Sequence, residues 1–246
     1  MTKMFVAPTG RRLAYRKTIG RTGRNFIWLS GFNSDMQGSK VLALESWSKT
    51  QGHGFLAFDY SGHGESSGDF RDGTISAWRD DTLSVLDTLA DGPQVLVGSS
   101  MGGWMALLAA VSRPERVAAL VLIAPAPDFT AKLMWPGLPA TAKESINKTG
   151  VWLQPSDYGE PVPITKQLIE DGAHHQILDA PISFSGPVRI LQGMDDPDVP
   201  WRHAERLVET LTSRDLVFTL VKDGDHRLSR PQDIARLIGT CAMLAS

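Results

Sequence analysis

At 246 residues, 42% of them hydrophobic, with 23 glycines and 15 prolines, the chain is long enough to bury a large core as one α/β domain and is short for two. A formal charge of −2 removes a global electrostatic case for nucleic-acid binding, and a single cysteine, Cys241, removes intramolecular disulfides and cysteine-rich zinc sites. No apolar run approaches the roughly 18 residues of a membrane span and residues 1–10 lack the apolar core of a signal peptide, so the expected setting is soluble and cytoplasmic, with function in a local site.

The N-terminal stretch is basic: Lys3, Arg11, Arg12, Arg16, Lys17, Arg21 and Arg24 precede the first acidic residue, Asp35. Met4-Phe5-Val6 and Leu13-Ala14-Tyr15 around Pro8-Thr9-Gly10 predict a hairpin with its basic side chains facing water, rather than a transit peptide. Phe26-Ile27-Trp28-Leu29 predicts a strand ending at Ser30-Gly31-Phe32. Val41, Leu44 and Trp47 have helical spacing in a segment that stops at Gly52. Gly54-Phe55-Leu56-Ala57-Phe58 is a second core strand, closed by the glycine-rich Asp59-Tyr60-Ser61-Gly62-His63-Gly64-Glu65-Ser66. A helix with Ile75, Trp78, Val85, Leu86 and Leu89 inward follows. The apolar strand Gln94-Val95-Leu96-Val97, an apolar helix over 103–111 and a strand over 117–124 continue the alternation. Each strand is apolar throughout, which predicts a mostly parallel central sheet of about eight strands with helices on both faces, within one domain over 1–246.

Residues 125–187 break this rhythm. They are rich in proline and glycine, predict only short helices over 140–147 and 164–176, and expose Leu133, Met134, Trp135, Leu138, Val151, Trp152 and Leu153. A connection this long predicts a lid or cap insertion. Leu133, Met134, Trp135 and Trp152 are its candidates for an apolar substrate pocket. Sheet rhythm resumes at 188–192, followed by a helix over 201–211, a strand over 216–221 and a last helix. Ser229 is positioned to cap that helix, with Pro231 in its first turn and Gln232 three residues past the cap; Ile234, Leu237, Ile238 and Cys241 supply its apolar stripe.

The chemistry begins at Gly98-Ser99-Ser100-Met101-Gly102, a Gly-x-Ser-x-Gly turn between the predicted strand and helix. Of the two serines only Ser100 has glycine two residues away on both sides, where a Cβ on a sharp turn collides with neighbouring backbone. Ser100 is therefore the candidate nucleophile. A hydroxyl is a weak nucleophile and needs a base, itself oriented by an acid. Among six histidines, His226 lies on the loop after the last predicted strand, at the carboxyl edge of the sheet where ligands bind in open α/β folds. His63 sits in a glycine turn and His53 at a helix end, both expected near the surface. His203 falls in a helical first turn, and His174 and His175 in the insertion. The loop Gly193-Met194-Asp195-Asp196-Pro197-Asp198-Val199-Pro200 offers three aspartates. Its Gly-x-x-Asp-x-x-Val-Pro spacing selects Asp196, with Asp195 as the alternative and Asp198 expected to be solvated. The backbone N–H groups of Phe32 and Met101 are the candidate oxyanion donors, so backbone position matters there more than side-chain identity. Residues 61–68 lack the Lys-Ser or Lys-Thr of a phosphate loop, and no cofactor or metal is required.

Beyond these features, Asp59-Tyr60-Ser61-Gly62, Asp91-Gly92-Pro93-Gln94, Val97-Gly98-Ser99-Ser100-Met101-Gly102-Gly103-Trp104, Gly150-Val151-Trp152, Ala173-His174-His175, Val199-Pro200-Trp201 and Asp225-His226-Arg227 carry a resemblance. The chain resembles the α/β-hydrolase superfamily over nearly its whole length. Within it, the chain is similar to the family of mitochondrial mycophenolic acid acyl-glucuronide esterases and palmitoyl-protein thioesterases. The resemblance implies the α/β-hydrolase fold and a serine esterase or thioesterase with Ser100, Asp196 and His226 as triad. The implied substrate is an acylated small molecule or an S-acylated protein. Ser30 departs from the histidine common at that position, and the absence of a long targeting extension suggests a bacterial, cytoplasmic relative. A small-molecule carboxylesterase, a carbon–carbon bond hydrolase and a non-catalytic receptor on the same scaffold are the alternatives. Oligomeric state is not expressed in the sequence.

Overall fold

The computed structural model describes residues 1–21, 23–155 and 160–245. Strands β1 (Lys3–Val6) and β2 (Arg12–Thr18) form the N-terminal hairpin, followed by β3 (Asn25–Leu29), helix α1 (Ser39–Gln51), β4 (Gly54–Phe58) and α2 (Ile75–Leu89). Then come β5 (Gln94–Ser99), α3 (Met101–Ser112) and β6 (Val117–Ile123). The next stretch contains a π-helical turn (Thr130–Met134) running into α4 (Trp135–Gly137), then α5 (Ala140–Thr149), β7 (Val151–Gln154), β8 (Val162–Thr165) and α6 (Lys166–Ala173). Finally β9 (Val188–Gly193), α7 (Trp201–Thr210), β10 (Leu216–Val221) and α8 (Pro231–Ala242) close the chain.

The main sheet has eight strands in the order β1-β2-β4-β3-β5-β6-β9-β10. The β1–β2 and β2–β4 pairings are antiparallel and the remainder are parallel. Successive residues of its central strands enter two different cores. Ile27 and Leu29 of β3 and Leu96 of β5 join one cluster with α2, α3 and α7, while Phe26, Trp28, Val95 and Val97 join the other with α1 and α8. Because side chains alternate between faces and both faces are covered, these strands are apolar throughout.

Four expectations need correction. Two of the basic N-terminal side chains expected to face water are half-buried structural partners: Arg11 Nε donates to Asp81 Oδ1 at 2.7 Å and Arg16 Nε to Glu45 Oε2 at 2.9 Å, while Lys3, Arg12, Lys17, Arg21 and Arg24 are exposed, with Lys17 Nζ donating to Asp91 Oδ2 at 3.1 Å. Between β6 and β9, the start of the helix expected over 164–176 is strand β8, antiparallel to β7, with Ile164 opposite Trp152; the helix begins only at Lys166, after Thr165 caps it by accepting from Leu168 N. Residues 156–159 of that stretch lie outside the described residues. Leu138 is buried, and Leu133, Met134, Trp135, Val151 and Trp152 are half-buried, so of the bulky residues expected at the surface Leu153 is the exposed one. Lastly, α8 starts one residue later than a Ser229 cap requires: its N-cap is Arg230 and Pro231 occupies the first turn, while Ser229 Oγ donates to Arg227 O at 3.1 Å.

A buried ionic knot ties the hairpin, the β4 loop and α2 together. The Asp81 side chain is fully buried, and besides Arg11 it accepts from Ser61 N at 2.9 Å and Ser61 Oγ at 2.7 Å. Removing one member of a buried pair strands its partners. Asp81→Ala is therefore expected to destabilise the protein by about 3 kcal/mol, seen as a lower urea midpoint at unchanged slope; a wild-type midpoint would show the knot to be dispensable.

Candidate active site

Ser100 stands between β5 and α3 at φ 54° and ψ −118°, a backbone conformation that few non-glycine residues adopt. Its surroundings over-determine it. Ser100 N donates to Ile123 O at 2.9 Å, and Ser100 O accepts from Gly103 N at 2.9 Å and Ala126 N at 3.1 Å. A Cβ on Gly98 would lie 2.3 Å from Gly102 O, and one on Gly102 would lie 2.0 Å from Leu29 O. Both flanking glycines are thus required by contacts with backbone.

The loops after β9 and β10 bring two further groups to this turn. His226 Nε2 lies 3.1 Å from Ser100 Oγ, and His226 Nδ1 lies 2.8 Å from Asp196 Oδ2. The carboxylate accepts at Nδ1, which places the proton there and leaves Nε2 to accept from the serine hydroxyl. The Asp196 side chain is fully buried and satisfied: Oδ1 accepts from Asp198 N at 2.9 Å and Val199 N at 2.8 Å, and Oδ2 also accepts from Gln192 Nε2 at 3.0 Å. Asp195 and Asp198 are exposed. Asp196, Asp198 and His226 do present ligand atoms within 4.8 Å of one another. The hydrogen bonds already made by Asp196 and by both His226 nitrogens favour proton transfer over metal ligation.

The other histidines have different settings. His53 packs on Trp47 and Phe26, His203 Nε2 donates to Pro127 O at 2.7 Å, and His175 Nε2 lies 2.7 Å from Ser76 Oγ. His174 is exposed. His63 is not at the surface: it is 4% exposed and enclosed by Tyr60, Phe70 and Trp78. The Cys241 thiol is buried against the second core, and that burial pushes its pKa up.

Both candidate oxyanion donors border the nucleophile. Met101 N–H occupies the first position of α3, where no intrahelical acceptor exists. Phe32 follows Gly31, whose added Cβ would lie 3.4 Å from Ser100 Cβ. The Phe32 ring is itself an anchor, edge-on to Phe70 at 5.0 Å and Trp78 at 5.9 Å and tilted on Phe129 at 5.8 Å. Its side-chain identity matters more than the sequence suggests. Ser30 is buried, accepting from Trp28 Nε1 at 3.1 Å and donating to Asp35 O at 3.2 Å, which braces the same loop.

A cavity of about 400 Å³ opens beside Ser100 and His226. Its wall is mixed, with Trp28, Phe32 and Val41 beside hydroxyls from Ser34, Ser39 and Ser229 and the basic residues Lys40 and Arg227. Lys40 Nζ donates to Arg227 O, and burial lowers its pKa to about 8 against the raising influence of Asp225. The four apolar candidates from the 125–187 segment lie elsewhere. Leu133 and Met134 pack on the α2–α3 core, and Met134, Trp135 and Trp152 surround Leu138, Ala142, Ile146 and Ile164. Phe32 belongs to both places, lining the cavity and packing on that satellite cluster. Gln192 and His63 are the polar residues of this region that sequence reasoning missed, since neither stands in a distinguishing spacing.

Comparisons with known proteins agree with this architecture. The model of the alpha/beta hydrolase family matches residues 26–237. Human mitochondrial palmitoyl-protein thioesterase ABHD10 is 42% identical over 230 residues, covering 93% of this chain and 74% of its own length. The structure of mouse alpha/beta hydrolase domain-containing protein 10 superposes with a TM-score of 0.90 at 39% identity, covering 99% of this chain and 98% of that one. A protein of Agrobacterium vitis S4 superposes with a TM-score of 0.95 at 42% identity over 100% of this chain and 99% of its own. Among the described residues no helix is long and apolar enough to cross a membrane. A family model matched over most of the chain, with relatives this similar, shows that the protein is an enzyme belonging to the alpha/beta hydrolase family.

Proposed function

We propose that the chain is a serine hydrolase that cleaves esters or thioesters of acylated substrates through a covalent acyl-enzyme. The observation that carries this reading is the continuous hydrogen-bond line from Ser100 Oγ through His226 to the buried Asp196 carboxylate, set on a strained turn. Ser100 Oγ attacks the carbonyl carbon while His226 Nε2 takes the hydroxyl proton. Asp196 holds the imidazole in its Nδ1–H tautomer and stabilises the imidazolium that forms. The Phe32 and Met101 N–H groups receive the developing oxyanion, a contribution of about 3 kcal/mol for one donor. Collapse of the tetrahedral intermediate expels the alcohol or thiol, which takes the proton from His226. The same imidazole then activates water to release the acid.

The direction of proton transfer orients the substrate. The leaving atom must come within reach of His226 Nε2, so the cavity beside His226 receives the leaving group. The acyl part lies toward Phe32 and the 125–187 segment, which serves as its lid with Met134, Trp135 and Trp152 as apolar contacts. Palmitoyl-protein thioesterase is the name of the 42%-identical human relative, and an S-acylated protein or acylated small molecule is the substrate class this chain shares on that reading.

Ser100→Ala is expected to lower kcat by on the order of 10⁴-fold or more and to abolish labelling by a fluorophosphonate probe. An unlabelled wild type, or equal labelling of the variant, would instead make the protein a binding module on this scaffold. Asp196→Asn, which no longer stabilises the Nδ1–H tautomer, should lower kcat by about 10³- to 10⁴-fold with little change in KM; near-wild-type turnover would remove Asp196 from the mechanism. Across acyl thioesters of graded length, long chains should be preferred, and Trp152→Ala should raise KM for long chains while sparing short ones. A flat length profile, or better turnover of simple esters with short acyl groups, would favour a small-molecule carboxylesterase.

A further inference from the structure

His63 does not touch the triad, yet it holds the loop on which one proposed oxyanion donor sits. Its Nε2 lies 3.2 Å from the backbone N of Asn33, and its Nδ1 lies 3.2 Å from Ser61 O. An amide N–H only donates, so Nε2 is the acceptor and Nδ1 carries the proton and donates to the Ser61 carbonyl. Asn33 is the residue after Phe32 and has φ 52°, a left-handed conformation. Ser34 N donates to Gly31 O at 3.2 Å, closing a turn with Phe32 at its centre. The other end of that turn, Gly31, approaches Ser100 so closely that an added Cβ would lie 3.4 Å from Ser100 Cβ. A displaced Asn33 would therefore displace the Phe32 N–H relative to the nucleophile.

The histidine is well placed to resist such displacement. Its ring stands edge-on to Phe70 at 5.0 Å and Trp78 at 5.2 Å, the two rings that also hold Phe32. Its acceptor carbonyl, Ser61 O, also receives Trp78 Nε1 at 3.1 Å, and Ser61 itself is bound twice to the buried Asp81. We infer that His63 is a positioning residue, one that accepts the Asn33 N–H and so fixes the 31–33 turn with the Phe32 N–H facing the carbonyl oxygen of a substrate at Ser100. Burial lowers the imidazole pKa, opposed by the Ser61 carbonyl and the charges of Asp81 and Asp35. The ring is thereby kept neutral and able to accept. This role deepens, and rests on, the reading of Phe32 as an oxyanion donor.

The test compares His63→Leu, which fills the space without an acceptor, with His63→Gln, whose amide oxygen restores one. The leucine variant should lose about 10- to 100-fold in kcat with KM within about twofold, the range expected for a misplaced oxyanion donor. Affinity for a trifluoromethyl ketone, which forms an oxyanion adduct on the nucleophile, should fall by a similar factor. The glutamine variant should recover most of both losses. Wild-type kcat in the leucine variant, a loss confined to KM, or a glutamine variant no better than leucine would overturn the inference. Long-range ¹H–¹⁵N spectra of the wild-type protein give an independent reading that needs no folded variant. The Nδ1–H tautomer of His63 is expected, and the Nε2–H tautomer would break the bond to Asn33 and defeat the proposal. Fluorophosphonate labelling of wild type and Ser100→Ala keeps a failure here distinct from a failure of the serine-hydrolase reading.

Discussion

The structure depends on one close approach, that of the β5–α3 turn to the end of β3. Gly102 lies so near Leu29 O, and Gly98 so near Gly102 O, that neither position has room for a side chain. This contact presses the start of α3 into the sheet, and the helix is buried along the ten residues from Met101 to Ala110. Such a helix cannot be amphipathic, which explains its apolar sequence on every face. The same contact places the residues after β3, and hence the 31–33 turn, against Ser100. The strained serine and the proposed oxyanion turn are two sides of one packing constraint, and strain at φ 54° persists because a hydrogen bond to Ile123 O and others from Gly103 N and Ala126 N enclose it.

The remaining groups arrive from the carboxyl ends of strands further along the sheet. β9 and β10 lie beyond β6 on the far side of β5, so His226 must reach back toward Ser100. Asp196 makes that reach definite. It is held by two backbone N–H groups and Gln192, and it spends its remaining acceptor capacity on His226 Nδ1. A buried carboxylate needs this many donors to stay charged. The loop Asp196-Pro197-Asp198-Val199 is shaped by that requirement: past the stiff Pro197, the Asp198 and Val199 amides are turned onto the carboxylate.

How much of this was legible follows from how local each feature is. The elbow could be read because its glycines answer to steric contacts that recur wherever a serine occupies such a turn. The parallel sheet could be read because two-sided burial leaves strands apolar without alternation, as in Phe26-Ile27-Trp28-Leu29. His63 could not be read. Its neighbours in sequence are glycines that suggest an exposed turn, and what buries it is an aromatic group assembled from Phe70 and Trp78, on other elements. Gln192 was likewise invisible, being one polar residue in an apolar strand, with a partner fixed only by the loop fold. The β7–β8 pair was missed because Pro163 weakens the strand pattern and each strand is only four residues long. Arg11 and Arg16 read as solvated because a linear sequence does not show that Asp81 and Glu45 stand opposite them.

The cavity beside Ser100 and the apolar satellite cluster meet at Phe32, which lines the one and packs on the other. The cluster belongs to a segment that meets the nucleophile at Ala126, whose N donates to Ser100 O, and is otherwise pinned away from the triad. Asp128, buried at φ 57° just after β6, accepts from Ile177 N at 2.8 Å and Leu178 N at 3.0 Å, drawing the far end of the segment back to its beginning. Asp171 Oδ2 and Oδ1 accept from Ser76 N at 2.7 Å and Ser76 Oγ at 2.6 Å, fastening the end of α6 to the start of α2. None of the Asp128 and Asp171 bonds passes through Asp196, His226 or Ser100. On the reading proposed above, substitutions within Trp135, Trp152 and their neighbours would reshape the surface offered to an acyl group without disturbing proton transfer, whereas a change at Phe32 would touch both the cavity and the cluster. Selectivity for the acyl group and the rate of its transfer are, on that reading, separable within the satellite cluster, but not where the segment meets Phe32 or where Ala126 N donates to Ser100 O.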